Sequence, residues 1–121
     1  MNQIVAVYGS LKKGFGNHCL LENANQISDA KVTGWDMYSF GMYPMVIPGS
    51  GTVAVELYEV TPSEMDRLDS LEGYPTFYDR KQVEAVTDSG AIEAWMYFGD
   101  KSQVERLPQV KSGVWTRQRA W

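Results

Sequence analysis

Glu72 is the residue whose position in the sequence most clearly indicates chemistry. It ends a segment predicted to be helical, and steps of about 100° per residue place it about 20° from Met65 on the helical wheel, between Met65 and Leu68. The carboxylate therefore falls within the apolar stripe, where burial raises a carboxyl pKa and suits the group to general acid/base catalysis. The alternative is that Glu72 lies at a frayed helix end and reaches solvent.

A glycine-rich loop after the first predicted strand is the second candidate. Its first four residues are Tyr8, Gly9, Ser10 and Leu11. Successive backbone N–H groups at such a turn can bind an anion. Gly9 and Gly14 have the spacing of P-loop glycines, but Phe15 and Gly16 occupy the positions where a P-loop needs Lys and Ser or Thr. The sequence therefore disfavours a nucleotide triphosphatase and leaves open an anion-binding turn or a plain strand-to-helix connection.

Nucleophilic catalysis has weaker support. Ser10 with His18 as its base lacks the G-x-S-x-G pattern of a nucleophile elbow. Cys19 and His18 are adjacent, and side chains at i and i+1 of a helix diverge, so we expect Cys19 in the core. Because Cys19 and His18 are the one cysteine and the one histidine, an internal disulfide and a multi-cysteine zinc site are excluded.

The elements that must position these residues follow from periodicity and turn chemistry. Thr61, Pro62 and Glu64 have the pattern of a capping box, which predicts a helix that ends at Gly73. Asn17 is expected to cap a second, short helix. Strand-like patterns occupy residues 3–8, 31–40, 45–47, 52–60, 77–86 and 91–98, the last two joined by a hairpin turn. About five or six strands and two helices indicate an α+β fold with a curved or closed sheet.

Length and charge exclude several classes of protein. A chain of 121 residues is expected to form one domain over residues 1–121. The net charge is −4 and no dense run of Lys and Arg occurs, so no nucleic-acid partner is expected. No stretch approaches about 18 apolar residues, so no membrane span is expected. We therefore expect a cytoplasmic protein.

Five segments taken together resemble the gamma-glutamylcyclotransferase-like family, and more closely its small gamma-glutamylamine cyclotransferase branch. They are VAVYGSLKKGFGNH, MYPMVIPGSG, VELYEV, LDSLEGYP and YDRKQV, and they cover roughly residues 4–98. The main motifs are residues 8–11, and residues 68–73 followed by residues 78–80. SGVW at residues 112–115 is similar to the family's C-terminal G-[DE]-W, with Val114 in place of the acidic residue.

This resemblance implies a fold, a reaction and a site. The fold would be a small mixed β-barrel flanked by short helices, with the site at the barrel mouth. In the implied reaction, the α-amine of a γ-glutamyl group attacks its own γ-carbonyl, which gives 5-oxoproline and a free amine. Glu72 would be the general acid/base, residues 8–11 would bind the substrate, and Tyr78 would donate a hydrogen bond into the pocket. The implied partner is a small-molecule γ-glutamyl substrate, with no cofactor and no metal, and a monomer is favoured.

Two other functions stay open. A small-molecule-binding protein would use the same cavity, with Glu72 as a ligand contact and no turnover. An interaction protein would use Trp115 and Trp121, near Arg117 and Arg119, as a docking element. The competing interpretation of this tail is that it closes the hydrophobic core. The amine side of a substrate is not determined by these motifs.

Overall fold

The computed structural model describes residues 1–116, which form six β-strands, one α-helix and two short 3-10 helices. The strands are β1 (Gln3–Val7), β2 (Asn25–Ser39), β3 (Pro44–Val60), β4 (Asp79–Thr87), β5 (Gly90–Phe98) and β6 (Gln109–Val110). The α-helix, α1, is Pro62–Glu72, and the 3-10 helices are His18–Leu21 and Lys101–Gln103.

The strands form one sheet that closes on itself. Its order is β3, β1, β5, β4, β2, β6, and β2 also pairs with β3, so five strands make a ring and β6 extends it beside β2. The pairs are antiparallel except for β1 and β5, which are parallel. The expected α+β class and closed mixed sheet are confirmed. Of the two expected helices, the first is a single 3-10 turn.

The extent of β3 differs from the sequence prediction. Residues 45–47 and 52–60 were expected as separate pieces, but both belong to the continuous strand β3. The register of the pair shifts between Thr33 and Trp35, around Gly34, whose φ is +100°. A bulge of this kind bends a strand pair without ending it, so Pro48 lies opposite Trp35 within the ladder.

Two buried clusters lie on opposite faces of the ring strands. On β1, Ala6 belongs to a cluster drawn from all five ring strands, which fills the ring interior. Val5 and Val7 point the other way, into a cluster that includes Met65 and Leu68 of α1. This alternation follows from the two-residue period of a strand. Helix α1 therefore packs against the outside of the ring, near the carboxyl end of β1.

The ends of α1 follow the capping signals of the sequence. The Thr61 hydroxyl accepts a hydrogen bond from the Glu64 N–H at 3.1 Å, and the Glu64 carboxylate accepts one from the Thr61 N–H at 2.8 Å. Gly73 ends the helix with a φ of +66°, a conformation that favours glycine. Glu72 is thus the last residue of α1. Within residues 1–116, no helix is long and apolar enough to cross a membrane.

The C-terminal segment contributes to the ring interior. Trp115 is 3% exposed and belongs to the interior cluster. The prediction that the tail closes the core is therefore confirmed for Trp115. The remaining members of the proposed docking element, Arg117, Arg119 and Trp121, lie outside the described residues.

Candidate functional site

A cavity of about 360 Å³ lies where the carboxyl end of β1 meets the end of α1. The loop after β1 forms one wall, the last residues of α1 form a second, and the segment before β4 forms a third. All six residues that the sequence assigned to the site line this cavity: Tyr8, Gly9, Ser10, Leu11, Glu72 and Tyr78. The other lining residues are Ala6, Val7, Asn17, Tyr43, Pro44, Leu71, Phe77 and Tyr97.

Glu72 is half-buried in the wall of this cavity. Among the described residues, no group donates a hydrogen bond to its carboxylate or forms an ion pair with it. Burial raises the pKa of Glu72 from 4.5 to about 7. The carboxyl group therefore exists in both protonation states near neutral pH, which is the condition for taking up and returning a proton.

The loop at residues 8–11 approaches β3 closely. A Cβ atom on Gly9 would lie 2.7 Å from Cδ of Pro44, so the contact requires glycine. The Gly9 carbonyl accepts a hydrogen bond from the Lys12 N–H at 3.0 Å, which holds the turn. Between residues 1 and 116, the backbone N–H groups of Ser10 and Leu11 have no acceptor. These two donors are therefore available to a ligand in the cavity.

The side chains around Ser10 do not form a nucleophile and base pair. The Asn17 amide donates to Oγ of Ser10 at 2.9 Å, while Nδ1 of His18 lies 2.9 Å from the carbonyl oxygen of Leu11. Asn17 consequently makes no side-chain cap, contrary to the prediction. Cys19 is exposed, because the 3-10 turn buries one residue of its four, so its expected core position is wrong. In the described part of the chain, no cluster of three His, Cys, Asp or Glu side chains suits a metal ion.

Buried tyrosine hydroxyls line the floor of the cavity and are satisfied internally. Tyr8 donates to the carbonyl of Tyr97 at 2.9 Å and accepts from the Val46 N–H at 3.3 Å. The Tyr78 hydroxyl was expected to donate a hydrogen bond into the pocket. Instead, it donates its proton to the carbonyl of Pro44 in β3. Burial, followed by the Glu72 charge, raises the pKa of Tyr78 well above its ordinary value. Tyr78 can therefore offer a ligand an oxygen lone pair rather than a proton.

A polar cluster holds the end of α1 against the sheet. Asp69 accepts hydrogen bonds from the Arg80 guanidinium of β4 and, at 2.7 Å, from the Tyr97 hydroxyl of β5. The guanidinium also lies 4.5 Å from the ring centres of both Tyr74 and Trp95. These contacts leave Glu72, one helical turn beyond Asp69, facing the loop at residues 8–11.

Aromatic rings surround the mouth of the cavity. Phe40 stacks on Tyr43 with ring centres 5.0 Å apart, and Phe77 lies 5.8 Å from Phe40.

Sequence analysis did not assign Tyr97 or Asn17 to the site. The signal for Tyr97 is weak, because both faces of β5 are apolar and the strand pattern does not separate a cavity position from a core position.

Across residues 1–116, the fold and the cavity define a small closed-sheet protein in which the Glu72 carboxylate faces a loop with two backbone N–H groups that have no acceptor. Residues 5–117 match the profile of the family described as gamma-glutamyl cyclotransferase, AIG2-like. The chain therefore belongs to this family.

Relatives from distant organisms match over most of their length. A protein of Methanocaldococcus jannaschii, provisionally described as a gamma-glutamylcyclotransferase, is 40% identical in an alignment of 108 residues that covers 83% of this chain and 87% of the relative. The gamma-glutamylcyclotransferase family protein YtfP of Escherichia coli is 33% identical over 111 residues, which are 92% of this chain and 94% of the relative.

Solved structures show the same fold. The solution structure of E. coli YtfP has a TM-score of 0.70 at 34% identity, covering 93% of this chain and 95% of that one. The crystal structure of a mouse AIG2-like protein has a TM-score of 0.80 at 21% identity, covering 98% of this chain and 97% of that one. The similarity to the mouse protein concerns the fold alone.

Proposed function

We propose that this protein is a gamma-glutamylcyclotransferase-type enzyme that converts a γ-glutamyl-amine or γ-glutamyl amino acid to 5-oxoproline and a free amine. Glu72 is the general acid/base. The observation that supports this proposal most directly is the Glu72 carboxylate, which is half-buried in the cavity and has its pKa raised to about 7. Within residues 1–116 it has no hydrogen-bond or ion-pair partner. The enzyme acts on a small molecule as a monomer in the cytoplasm, without a cofactor.

The proposed reaction needs one proton carrier. The Glu72 carboxylate removes a proton from the substrate's α-ammonium, and the freed amine attacks the γ-carbonyl carbon. A new C–N bond closes a five-membered ring and places negative charge on the carbonyl oxygen. When the bond from that carbon to the leaving nitrogen breaks, protonated Glu72 gives its proton to that nitrogen. The ring nitrogen still carries two protons, and the regenerated Glu72 carboxylate accepts one of them, which leaves the neutral lactam. That proton then passes to the released amine, which departs as an ammonium ion. Ring closure is intramolecular, so most of the catalytic effect comes from holding the chain in the attack geometry.

The loop at residues 8–11 supplies binding groups for this reaction. The free N–H groups of Ser10 and Leu11 suit the substrate's carboxylate or the developing oxyanion. Gly9 allows the loop to approach Pro44, and Tyr8 forms the floor behind it. The Tyr78 oxygen, whose proton is donated to Pro44, suits the substrate's ammonium group as an acceptor.

The test is release of 5-oxoproline from a panel of γ-glutamyl-amines and γ-glutamyl amino acids, measured by mass spectrometry. Glu72→Gln keeps the size of the side chain and removes its proton transfer, so we expect at least about a hundredfold loss of kcat. Asp66→Asn is the matched control, because Asp66 is exposed on the same helix and does not line the cavity. Turnover retained by a folded Glu72→Gln protein would contradict the assigned role.

The same assay separates this proposal from a binding protein and from a serine hydrolase. A binding protein would retain a ligand through purification and release no 5-oxoproline from any member of the panel. A serine hydrolase would lose all activity in Ser10→Ala, whereas the proposed mechanism uses the Ser10 backbone and predicts a loss of less than about tenfold in that variant.

A further inference from the structure

The residues that line the cavity differ in exposure. Tyr8 and Leu11, in the loop that carries the backbone donors, are 6% and 5% exposed. Tyr43, Leu71 and Phe77 also line the cavity but are 37%, 42% and 39% exposed, and we call the part that they form the open end. The N–H groups of the loop suit the glutamyl carboxylate. A substrate bound in this way can direct its leaving amine toward the open end.

The open end is apolar and aromatic. Tyr43 and Phe77 have ring centres 6.3 Å apart, and Phe40 contacts both rings. Leu71 adds an aliphatic side chain from the last turn of α1. These four apolar side chains are partly exposed beside the cavity. A hydrophobic ligand group could therefore be buried against them.

The charges of the side chains that line the cavity further limit which leaving group can bind there. Of the cavity-lining residues in the described chain, Glu72 alone carries a charged side chain. A γ-glutamyl amino acid carries a second carboxylate on the leaving side. That carboxylate would meet no cation in this wall, and the ionised Glu72 carboxylate would repel it.

We propose that the preferred leaving group is an apolar or aromatic amine without a carboxylate, bound between Tyr43, Leu71 and Phe77. This inference rests on the proposed cyclotransferase function and specifies its substrate class. The open end of the cavity, formed by Tyr43, Leu71 and Phe77, would distinguish γ-glutamyl-arylalkylamines from γ-glutamyl amino acids.

Four substrates separate the contribution of the carboxylate from that of the aromatic ring. γ-Glutamyl-phenethylamide and γ-glutamyl-phenylalanine differ by one carboxylate, as do γ-glutamyl-ethylamide and γ-glutamyl-alanine. Each pair with the same carboxylate status differs by a phenyl ring. We expect kcat/KM to be at least about tenfold higher for each amide than for its amino acid, and at least about tenfold higher with the ring than without it.

Two variants connect the preference to the mouth. Phe77→Ala and Leu71→Ala should each reduce the ratio of kcat/KM for phenethylamide to that for ethylamide, by about tenfold for Phe77. Ile27→Ala is the matched control, because Ile27 is 40% exposed on β2 and does not line the cavity. The control should keep the wild-type ratio.

The outcomes distinguish the two proposals. Release of 5-oxoproline with equal or higher kcat/KM for the amino acids would overturn the inference and leave the cyclotransferase function intact. An unchanged ratio in Phe77→Ala would overturn the placement of the leaving group at the mouth. Absence of 5-oxoproline from all four substrates, with the protein folded, would overturn the proposed function and this inference with it.

Discussion

The Arg80 guanidinium holds the Asp69 carboxylate by two parallel hydrogen bonds, from Nε at 2.9 Å and from Nη2 at 3.2 Å. The two side chains are 15% and 19% exposed, so the pair is largely shielded from water. Asp69 lies three residues before Glu72 on α1, and Arg80 belongs to β4. This pair therefore connects the end of α1 to the sheet and orients Glu72 toward the cavity.

Replacement of Arg80 by Met should affect both stability and catalysis. Asp69 would lose its charged partner, at a cost of about 1 to 3 kcal/mol in the free energy of unfolding. Because the end of α1 would shift, we expect kcat to fall about tenfold with little change in KM. Denaturant unfolding and steady-state kinetics measure the two effects. Lys81→Met is the control, since Lys81 is exposed on the same strand.

The conservative variant Arg80→Lys shows whether Arg80 acts by positioning. It keeps the charge and loses the bidentate geometry, so kcat should recover in part. If Arg80→Met lowered stability and left kcat unchanged, the pair would have a structural role alone.

The raised pKa of Glu72 predicts a particular pH dependence of the rate. The proposed mechanism begins with the ionised carboxylate, and burial raises its pKa to about 7. We therefore expect kcat/KM to rise as the pH increases and to level off above a pKa near that value. A profile that stayed flat between about pH 5.5 and about pH 8.5, a window of about one and a half units on either side of the transition, would contradict the assignment.

The same carboxyl group should affect stability with the opposite sign. Its pKa is 4.5 in the unfolded chain and about 7 in the folded protein, so the folded state binds the proton more tightly. Wild-type stability should therefore fall, relative to Glu72→Gln, as the pH rises from 4.5 to about 7, and stay constant above that range. At about 1.4 kcal/mol for each unit of pKa, the expected difference is about 3 kcal/mol. Chemical denaturation of both proteins across this range measures it.

Local rules predicted the elements whose signals lie within a few residues. The capping box at Thr61 and the stop at Gly73 set the bounds of α1, and the helical wheel then placed Glu72 toward the cavity. The β4 and β5 hairpin was predicted in the same way. Pro48 was interpreted as a break because a local rule cannot detect the bulge at Gly34 on the partner strand.

The sequence predicted which residues line the cavity, but not the hydrogen bonds that they make. Tyr78 was assigned to the site by resemblance, yet its proton goes to Pro44, which is 34 residues away in the sequence. Cys19 was expected in the core because its side chain diverges from that of His18 on a short helix, and the single 3-10 turn leaves it exposed. Contacts of this kind depend on tertiary packing, which overrides local preference.

Gly9→Ala should disturb the loop that carries the backbone donors. The added Cβ would overlap the Pro44 ring, and relief of the overlap would displace the neighbouring N–H groups. We expect a loss of about 1 to 3 kcal/mol in stability, together with a lower kcat/KM. Gly16→Ala is the matched control in the same loop region, because a Cβ there would meet nothing within 4 Å. Equal behaviour of the two variants would show that the contact with Pro44 is not needed.

Lys12→Met tests the connection between the loop and the C-terminal segment. Lys12 is 9% exposed, and its ammonium donates to the carbonyl of Trp115 at 2.6 Å. Burial lowers the pKa of Lys12, while Glu56 and Asp29 act against this shift. Met fills a similar volume but leaves the carbonyl without its donor, so we expect a loss of about 1 to 3 kcal/mol in the free energy of unfolding.

Lys13→Met provides the comparison for this prediction, since Lys13 is the exposed neighbour in the same loop. Its substitution should change the free energy of unfolding by less than about 0.5 kcal/mol. Because Lys12 lies next to Leu11, loss of its anchor should also loosen the loop donors, and kcat/KM should fall in Lys12→Met alone. Equal unfolding midpoints for the two variants would show that the contact with Trp115 contributes nothing to the folded state.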